Sequence, residues 1–176
     1  MNTKEHWENI YQTKQLNEVS WFQQKPQTSL GFFEMFSVHK NAKIIDVGGG
    51  DSYLVDYLLE LGHQDISVLD ISKSALNRAK QRLGDKAKWI EANAAHFQPV
   101  EKYDFWHDRA AFHFLTEHED IENYIRTANE NIAVNGVLTR DYTKETLKCE
   151  LEALLLPQPK SAEEKIPIIS GLRRGR

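Results

Sequence analysis

Three consecutive glycines between two aspartates form the most chemically informative segment of the sequence. The segment, Asp46-Val47-Gly48-Gly49-Gly50-Asp51-Ser52, follows a short apolar run. Glycines let the backbone turn sharply and let a ligand approach without an intervening Cβ atom. A helix beginning after such a turn directs its N-terminal amides at a carboxylate or phosphate. The alternative is a glycine turn with a purely structural purpose.

Asp46 and Tyr53 restrict the kind of ligand. Asp46 ends a predicted buried strand, where a carboxylate is costly unless it is paired. A cationic amino group on the ligand would pair with it, whereas a pyrophosphate would be repelled. Tyr53 also stands where the dinucleotide-binding pattern requires its third glycine. The turn therefore argues against a nicotinamide dehydrogenase, which is the least favoured interpretation of this sequence.

Two further polar residues follow predicted strands. Asp70 lies 20 residues after Gly50, at the end of the second strand. Its ionised carboxylate can accept hydrogen bonds from both hydroxyls of a ribose; the alternative is a cap for the helix that starts near Ser72. Asn93 follows the third strand and can accept from an adenine amino group, or it serves only as a turn residue.

Candidates for proton transfer follow the fourth strand. His107 and Asp108 are the nearest such groups, although Asp108 and Arg109 could instead form a local ion pair. His113, flanked by phenylalanines, is predicted to be a packed core histidine. Trp21 lies in a break between two N-terminal helices and is predicted to cover the site as part of an aromatic lid.

Apolar periodicity predicts a doubly wound α/β fold. Short apolar runs alternate with helical stripes, which is typical of βαβ units and a parallel sheet. Right-handed crossovers place helices on both faces, and ligands bind at the carboxyl ends of the strands. Helices are expected around 4–14 and 51–61 and from Ser72 to Gly84, with a further helix closed by Gly136. Strands are expected at 43–47, 66–70, 87–90, 103–107 and from Val137.

Taken together, these motifs resemble the class I S-adenosylmethionine-dependent methyltransferases. The likeness also includes the N-terminal segment 7–22 and the segment 106–115, and it covers about residues 5–138. It implies a Rossmann-like domain that binds S-adenosylmethionine and transfers its methyl group to a small molecule or a protein lysine. Ser52 and Asn93 depart from the family pattern, which usually has a glycine and an acid at these positions.

The resemblance assigns roles to individual residues. Asp46 and Gly48 would line the methionine end, Asp70 the ribose and Asn93 the adenine. Asp108 and His107 are the catalytic candidates, and no metal is expected. The full set predicted to contact the cofactor is Asp46, Gly48, Gly49, Gly50, Asp70, Ile71, Asn93, Ala94, His107 and Trp21.

The C-terminal part departs from the family pattern. We expect a helical lid over 1–40, a cofactor-binding core over 41–142, and a helix with Leu147 and Leu151 followed by a polar tail over 143–176. The usual antiparallel hairpin is expected to be missing, which would leave the fifth strand as an open edge. A non-catalytic binding protein or inactive variant of the same fold is therefore the alternative function.

Composition excludes several classes of protein. Hydrophobic residues make up 40% of the 176 residues and charged residues 27%, as in ordinary globular domains. The net charge of −4 and the lack of a basic stripe give no indication of nucleic-acid binding. No apolar run suggests a membrane span. One cysteine, Cys149, predicts a reduced, cytoplasmic protein, and the oligomeric state is left open.

Overall fold

The protein folds around one parallel β-sheet. A computed structural model describes residues 3–109, 111–142 and 168–172. The sheet has six strands in the order β3-β2-β1-β4-β5-β6, and every neighbouring pair runs parallel. The strands are β1 Lys43–Val47, β2 Asp65–Asp70, β3 Lys88–Glu91, β4 Tyr103–Asp108, β5 Ile132–Tyr142 and β6 Ile168–Leu172.

The described residues form five α-helices. They are α1 Thr3–Thr13, α2 Gln27–Met35, α3 Leu54–Glu60, α4 Lys73–Leu83 and α5 His118–Asn131, with 3-10 turns at Leu16–Glu18 and Phe112–Phe114. One face of the sheet packs against Phe33 of α2, Leu58 of α3 and Leu76 of α4. The opposite face packs against Tyr124 and Ala128 of α5. Helices on both faces of a parallel sheet confirm the predicted doubly wound architecture.

Local sequence explains where α4 begins and ends. The Ser72 hydroxyl accepts a hydrogen bond of 3.2 Å from the Ala75 amide, which satisfies one N-terminal donor of the helix. Gly84, with a positive φ of 63°, ends it. Both positions agree with the prediction. Among the described residues, no helix is long and apolar enough to cross a membrane.

The boundary between α5 and β5 differs from the prediction. The helix ends at Asn131 and the strand already starts at Ile132, so Gly136 lies inside β5 rather than closing the helix. The pairing of β5 with β4 is irregular between Tyr103 and Phe105, which accommodates the extra residues. A Cβ atom on Gly136 would lie 2.6 Å from Cγ2 of Ile132, so the glycine permits this close backbone packing.

The expectation of an open edge at β5 is wrong. Strand β6 pairs with β5 in parallel, from Leu138↔Ile168 to Tyr142↔Leu172. The sequence did not predict this strand, because the apolar pair Ile168-Ile169 is too short to indicate one. In the structure these two residues begin β6. The predicted helix with Leu147 and Leu151 lies outside the described residues.

Candidate functional site

The glycine turn after β1 is attached to the end of β2. The backbone amides of Gly48 and Gly49 donate to the carbonyl oxygen of Leu69 at 2.8 and 3.3 Å. Gly48 has a φ of +70°, and a Cβ atom there would lie 3.0 Å from that of Ala111. On Gly49, a Cβ would lie 2.6 Å from both Asp46 Oδ2 and Val68 Cγ1. The backbone is therefore packed too closely here for any larger residue.

A cavity of about 390 Å³ opens above this turn, at the carboxyl ends of the strands. Its volume lies in the range of small-molecule sites. It occupies the edge of the sheet where doubly wound folds bind their ligands. The lining includes these predicted cofactor residues: Trp21, Gly48, Gly49, Asp70, Ile71, Asn93 and Ala94.

Asp70 is buried at the floor of the cavity. Its Oδ1 atom accepts a hydrogen bond of 2.8 Å from the Ser72 amide, and it also accepts from the Gly50 backbone. Burial raises its pKa to about 6, against the opposing effect of these hydrogen bonds. Ser72, not Asp70, caps α4. Asp70 thus supports the turn and also presents its carboxylate to the cavity.

Asn93 lies in the turn after β3 and lines the same cavity. Its Oδ1 atom accepts a hydrogen bond of 3.0 Å from the Ala95 amide, which is the bond expected of a turn residue. A carbonyl oxygen has a second acceptor position. The contact with Ala95 is therefore compatible with either predicted role of Asn93.

Asp46 does not line the cavity, contrary to its expected contact with the ligand. The carboxylate is completely buried beneath Gly49. Its Oδ1 atom lies 3.6 Å from Nε of Arg109, and Nη2 of Arg109 donates to the Gly49 carbonyl at 2.9 Å. The sequence predicted a cationic amino group of the ligand beside Asp46, and the Arg109 guanidinium supplies that positive charge instead. Arg109 also lines the cavity.

His107 and Asp108 are both buried outside the cavity lining, so their expected catalytic roles find no support. Neighbouring strand residues point to opposite faces. His107 packs among Phe32 and Phe33, and its Nδ1 lies 2.8 Å from the Thr139 hydroxyl. Burial lowers the pKa of His107 to about 3, with a further contribution from the Arg109 cation.

Asp108 connects the end of β4 to α5. It accepts hydrogen bonds from the Tyr124 hydroxyl and, at 3.2 Å, from the Phe112 amide. Burial raises its pKa, although Tyr124 and Arg140 oppose that shift. The predicted ion pair with Arg109 is replaced by these contacts, because Arg109 turns towards Asp46 instead.

Aromatic residues form the wall opposite the sheet. Trp7 of α1 packs edge-to-face against Trp21 (ring centroids 5.5 Å apart) and against Phe114 (4.8 Å). The Trp21 side chain hydrogen-bonds to the Tyr11 hydroxyl. A Cβ atom on Gly50 would lie 2.8 Å from that hydroxyl, so Tyr11 closes directly over the glycine turn. Trp21 lines the cavity beside these rings.

His113 corrects another sequence expectation. It is exposed and lines the cavity instead of packing in the core. The 3-10 turn Phe112–Phe114 explains the difference, because it buries Phe112 and leaves the next two side chains outside. Flanking phenylalanines were therefore a misleading signal. Arg109 directly follows β4, and the pairing of β4 with β1 in the structure brings it beside Asp46.

Fold and site together define the class I S-adenosylmethionine-dependent methyltransferase type: a parallel sheet with a glycine turn after β1 and an acid after β2 at one cavity. The family model described as "Methyltransferase domain" matches residues 45–138. The chain belongs to this family.

Known relatives agree with that assignment. Malonyl-(acyl-carrier protein) O-methyltransferase of Anoxybacillus flavithermus is 32% identical over 81 residues, which cover 45% of this chain and 31% of the relative. The solved "DhpI-SAM-HEP complex" matches with a TM-score of 0.64 and 15% identity, over 88% of this chain and 71% of that one. The sugar N-methyltransferase KedS8 from Streptoalloteichus matches at 0.59 and 16%, over 70% and 51%.

These matches differ in extent. The similarity to the curated relative spans about a third of that protein's length, and the match to KedS8 spans about half of its chain. At identities of 15–16%, the structural matches establish a shared fold.

Proposed function

We propose that this chain is an S-adenosylmethionine-dependent methyltransferase whose acceptor is a small molecule or a protein lysine. The single observation that carries the proposal is the position of Asp70. Its buried carboxylate faces a cavity that also receives the glycine turn after β1. Such an acid can accept from two ribose hydroxyls while the turn receives the amino-acid end of the same molecule.

The residues present fit the cofactor. Gly48 and Gly49 line one end of the cavity, and without side chains they let a ligand come close to the backbone there. Asp70 would hold the ribose. Ile71 and Asn93 lie at the ends of β2 and β3 and would bound the adenine. Each part of the molecule therefore has a chemically suitable neighbour.

When bound, S-adenosylmethionine supplies a methyl group on a good leaving group. The protein's main contribution is alignment and exclusion of water, and positioning can contribute about 7–11 kcal/mol. Trp21 and Tyr11 place aromatic surface beside the cavity, which suits a cationic sulfonium. Their position on the wall opposite the sheet would also keep water away from the reacting atoms.

An amine is the acceptor that best suits the cavity. A neutral amine needs only to lose a proton to water, whereas a hydroxyl needs a base. The two predicted bases, His107 and Asp108, are buried outside the cavity, whose described lining has one imidazole, His113, and four carboxylates. KedS8 is named a sugar N-methyltransferase, while the curated relative is an O-methyltransferase. An amino sugar, another small amine and a protein lysine are thus the acceptors to examine first.

A methyl-transfer assay tests this proposal. The chain is incubated with S-adenosylmethionine carrying a tritiated methyl group and with panels of amines, lysine peptides, alcohols and carboxylates. We expect transfer to an amine that disappears in Asp70→Ala and persists in Asp85→Ala, a control whose carboxylate is exposed. Cofactor binding without transfer to any acceptor would favour the non-catalytic alternative. Failure of a folded chain to bind the cofactor would contradict the proposal.

A further inference from the structure

Arg109 is held at the glycine turn with part of its guanidinium uncommitted. Nη2 donates to the Gly49 carbonyl at 2.9 Å, and Nε lies 3.6 Å from Asp46 Oδ1. The residue's own amide donates to the Val47 carbonyl at 2.9 Å, which fixes its backbone beside the end of β1. Within the described parts of the chain, Nη1 of Arg109 makes no hydrogen bond. The guanidinium that borders the cavity therefore has N–H donors available to a ligand.

The charges around the cavity make this cation distinctive. Among the described lining residues, Arg109 is the sole lysine or arginine, whereas four acids line the same cavity. Two of these, Asp51 and Asp70, lie near the turn; Asp51 is paired with Arg78 at 3.3 Å. An anionic group of a ligand therefore finds its cationic side-chain partner among these residues in Arg109, next to Gly49.

We infer that Arg109 binds the carboxylate of the cofactor's amino-acid end and that Asp46 is the buried positioning residue for its guanidinium. The inference rests on the proposed function, which places the amino-acid end of S-adenosylmethionine at the Gly48–Gly49 turn. The carboxylate would accept hydrogen bonds from the donors that Asp46 and Gly49 leave uncommitted. Charge-assisted bonds of this kind are among the stronger ones in proteins.

This assignment reverses the expected role of Asp46. The sequence suggested a direct contact between its carboxylate and a cationic amino group of the ligand. In the structure the Asp46 carboxylate lies beneath Gly49 and reaches the cavity only through Arg109. A competing explanation gives Arg109 a purely structural role, in which it ties the turn after β1 to the end of β4.

Two ligands that differ by one carboxylate separate these explanations. Titration calorimetry would compare S-adenosylmethionine with its decarboxylated form on the parent chain, Arg109→Gln and Arg109→Lys. The matched control is Arg126→Gln, whose exposed guanidinium donates to Asn123 on the surface of α5. Circular dichroism and an unfolding midpoint establish that each variant is folded.

The carboxylate-binding role predicts a specific change in the affinity ratio. The parent should prefer the carboxylated ligand by about tenfold or more, and Arg109→Gln should abolish that preference. Arg109→Lys should retain part of it, and Arg126→Gln all of it.

Loss of affinity for both ligands by the same factor in Arg109→Gln, or an unchanged ratio, would overturn the inference. Strong binding of both ligands by the parent with no preference would also overturn it, while leaving the proposed function intact. A folded parent that binds neither ligand would instead contradict the proposed function and the inference with it.

Discussion

The carboxylate of Glu8 in α1 accepts a hydrogen bond of 2.8 Å from the hydroxyl of Ser72 at the start of α4. The hydroxyl and the amide of Ser74 also donate to Glu8, the amide at 3.3 Å. At the C-terminal end of α1, Arg78 donates to the carbonyls of Tyr11 and Lys14. The middle and the C-terminal end of α1 are thus attached to α4, which holds the aromatic wall over the cavity.

Replacing Glu8 should loosen this attachment. In Glu8→Gln the charge at the N-terminus of α4 is lost, together with its favourable interaction with the helix dipole. We expect a several-fold loss of S-adenosylmethionine affinity and faster proteolysis before residue 25, with little change in the unfolding midpoint of the core. Glu5→Gln is the control, because Glu5 is exposed on the same helix. Equal protease sensitivity of the two variants would contradict this function of Glu8.

The same contact predicts a pH dependence. Partial burial would raise the pKa of Glu8, but hydrogen bonds from Ser74 and Ser72 outweigh it and lower the value from 4.5 to about 2. Because the pKa is lowered by docking, the stabilisation is complete above 4.5 and is lost as the pH falls towards 2. Proteolysis with an acid-active protease should show α1 released in this range. Release at the same pH in Glu8→Gln would contradict the assignment.

Gly49→Ala tests the close packing beneath the turn. The new Cβ atom would lie 2.6 Å from Asp46 and from Val68, so the backbone must shift. We expect a loss of about 1–3 kcal/mol in the free energy of unfolding and a loss of cofactor binding. Gly31→Ala is the matched control in α2, where a Cβ meets nothing within 4 Å and alanine favours the helix. A Gly49→Ala chain as stable as the parent would show that the turn is more adaptable.

Asp108 should matter for stability rather than for chemistry. Asp108→Asn keeps the shape but weakens the bonds from Tyr124 and Phe112 in a buried environment. We expect the free energy of unfolding to fall by about 1–3 kcal/mol. The rate of methyl transfer per folded molecule should stay the same, measured well below the unfolding midpoint. A large loss of rate in fully folded protein would restore the catalytic role suggested by the sequence.

Sequence reasoning succeeded where one local rule determines the outcome. Ser72 and Gly84 bound α4 because capping depends on near neighbours. Position along a strand likewise brought Asp70 and Asn93 to the same cavity, since parallel strands end at one edge. These residues could be found without knowing which way any side chain points.

The errors concern side-chain direction and distant pairing. His107 and Asp108 are adjacent, yet one faces α2 while the other meets α5, and neither lines the cavity. Asp46 found its cation in Arg109, 63 residues further along the chain, which composition and spacing do not reveal. Strand β6 likewise depends on pairing with a distant part of the chain, so its short apolar pattern was not recognisable.

Titration calorimetry with S-adenosylmethionine on the parent and on Asp70→Ala tests the central claim most directly. The Asp85→Ala variant controls for loss of an acidic side chain at an exposed position. Binding by the parent and by Asp85→Ala, with an affinity at least about tenfold lower in Asp70→Ala, is the predicted result. Equal affinity in all three chains, or no binding by a folded parent, would contradict the assignment of this cavity as the cofactor site.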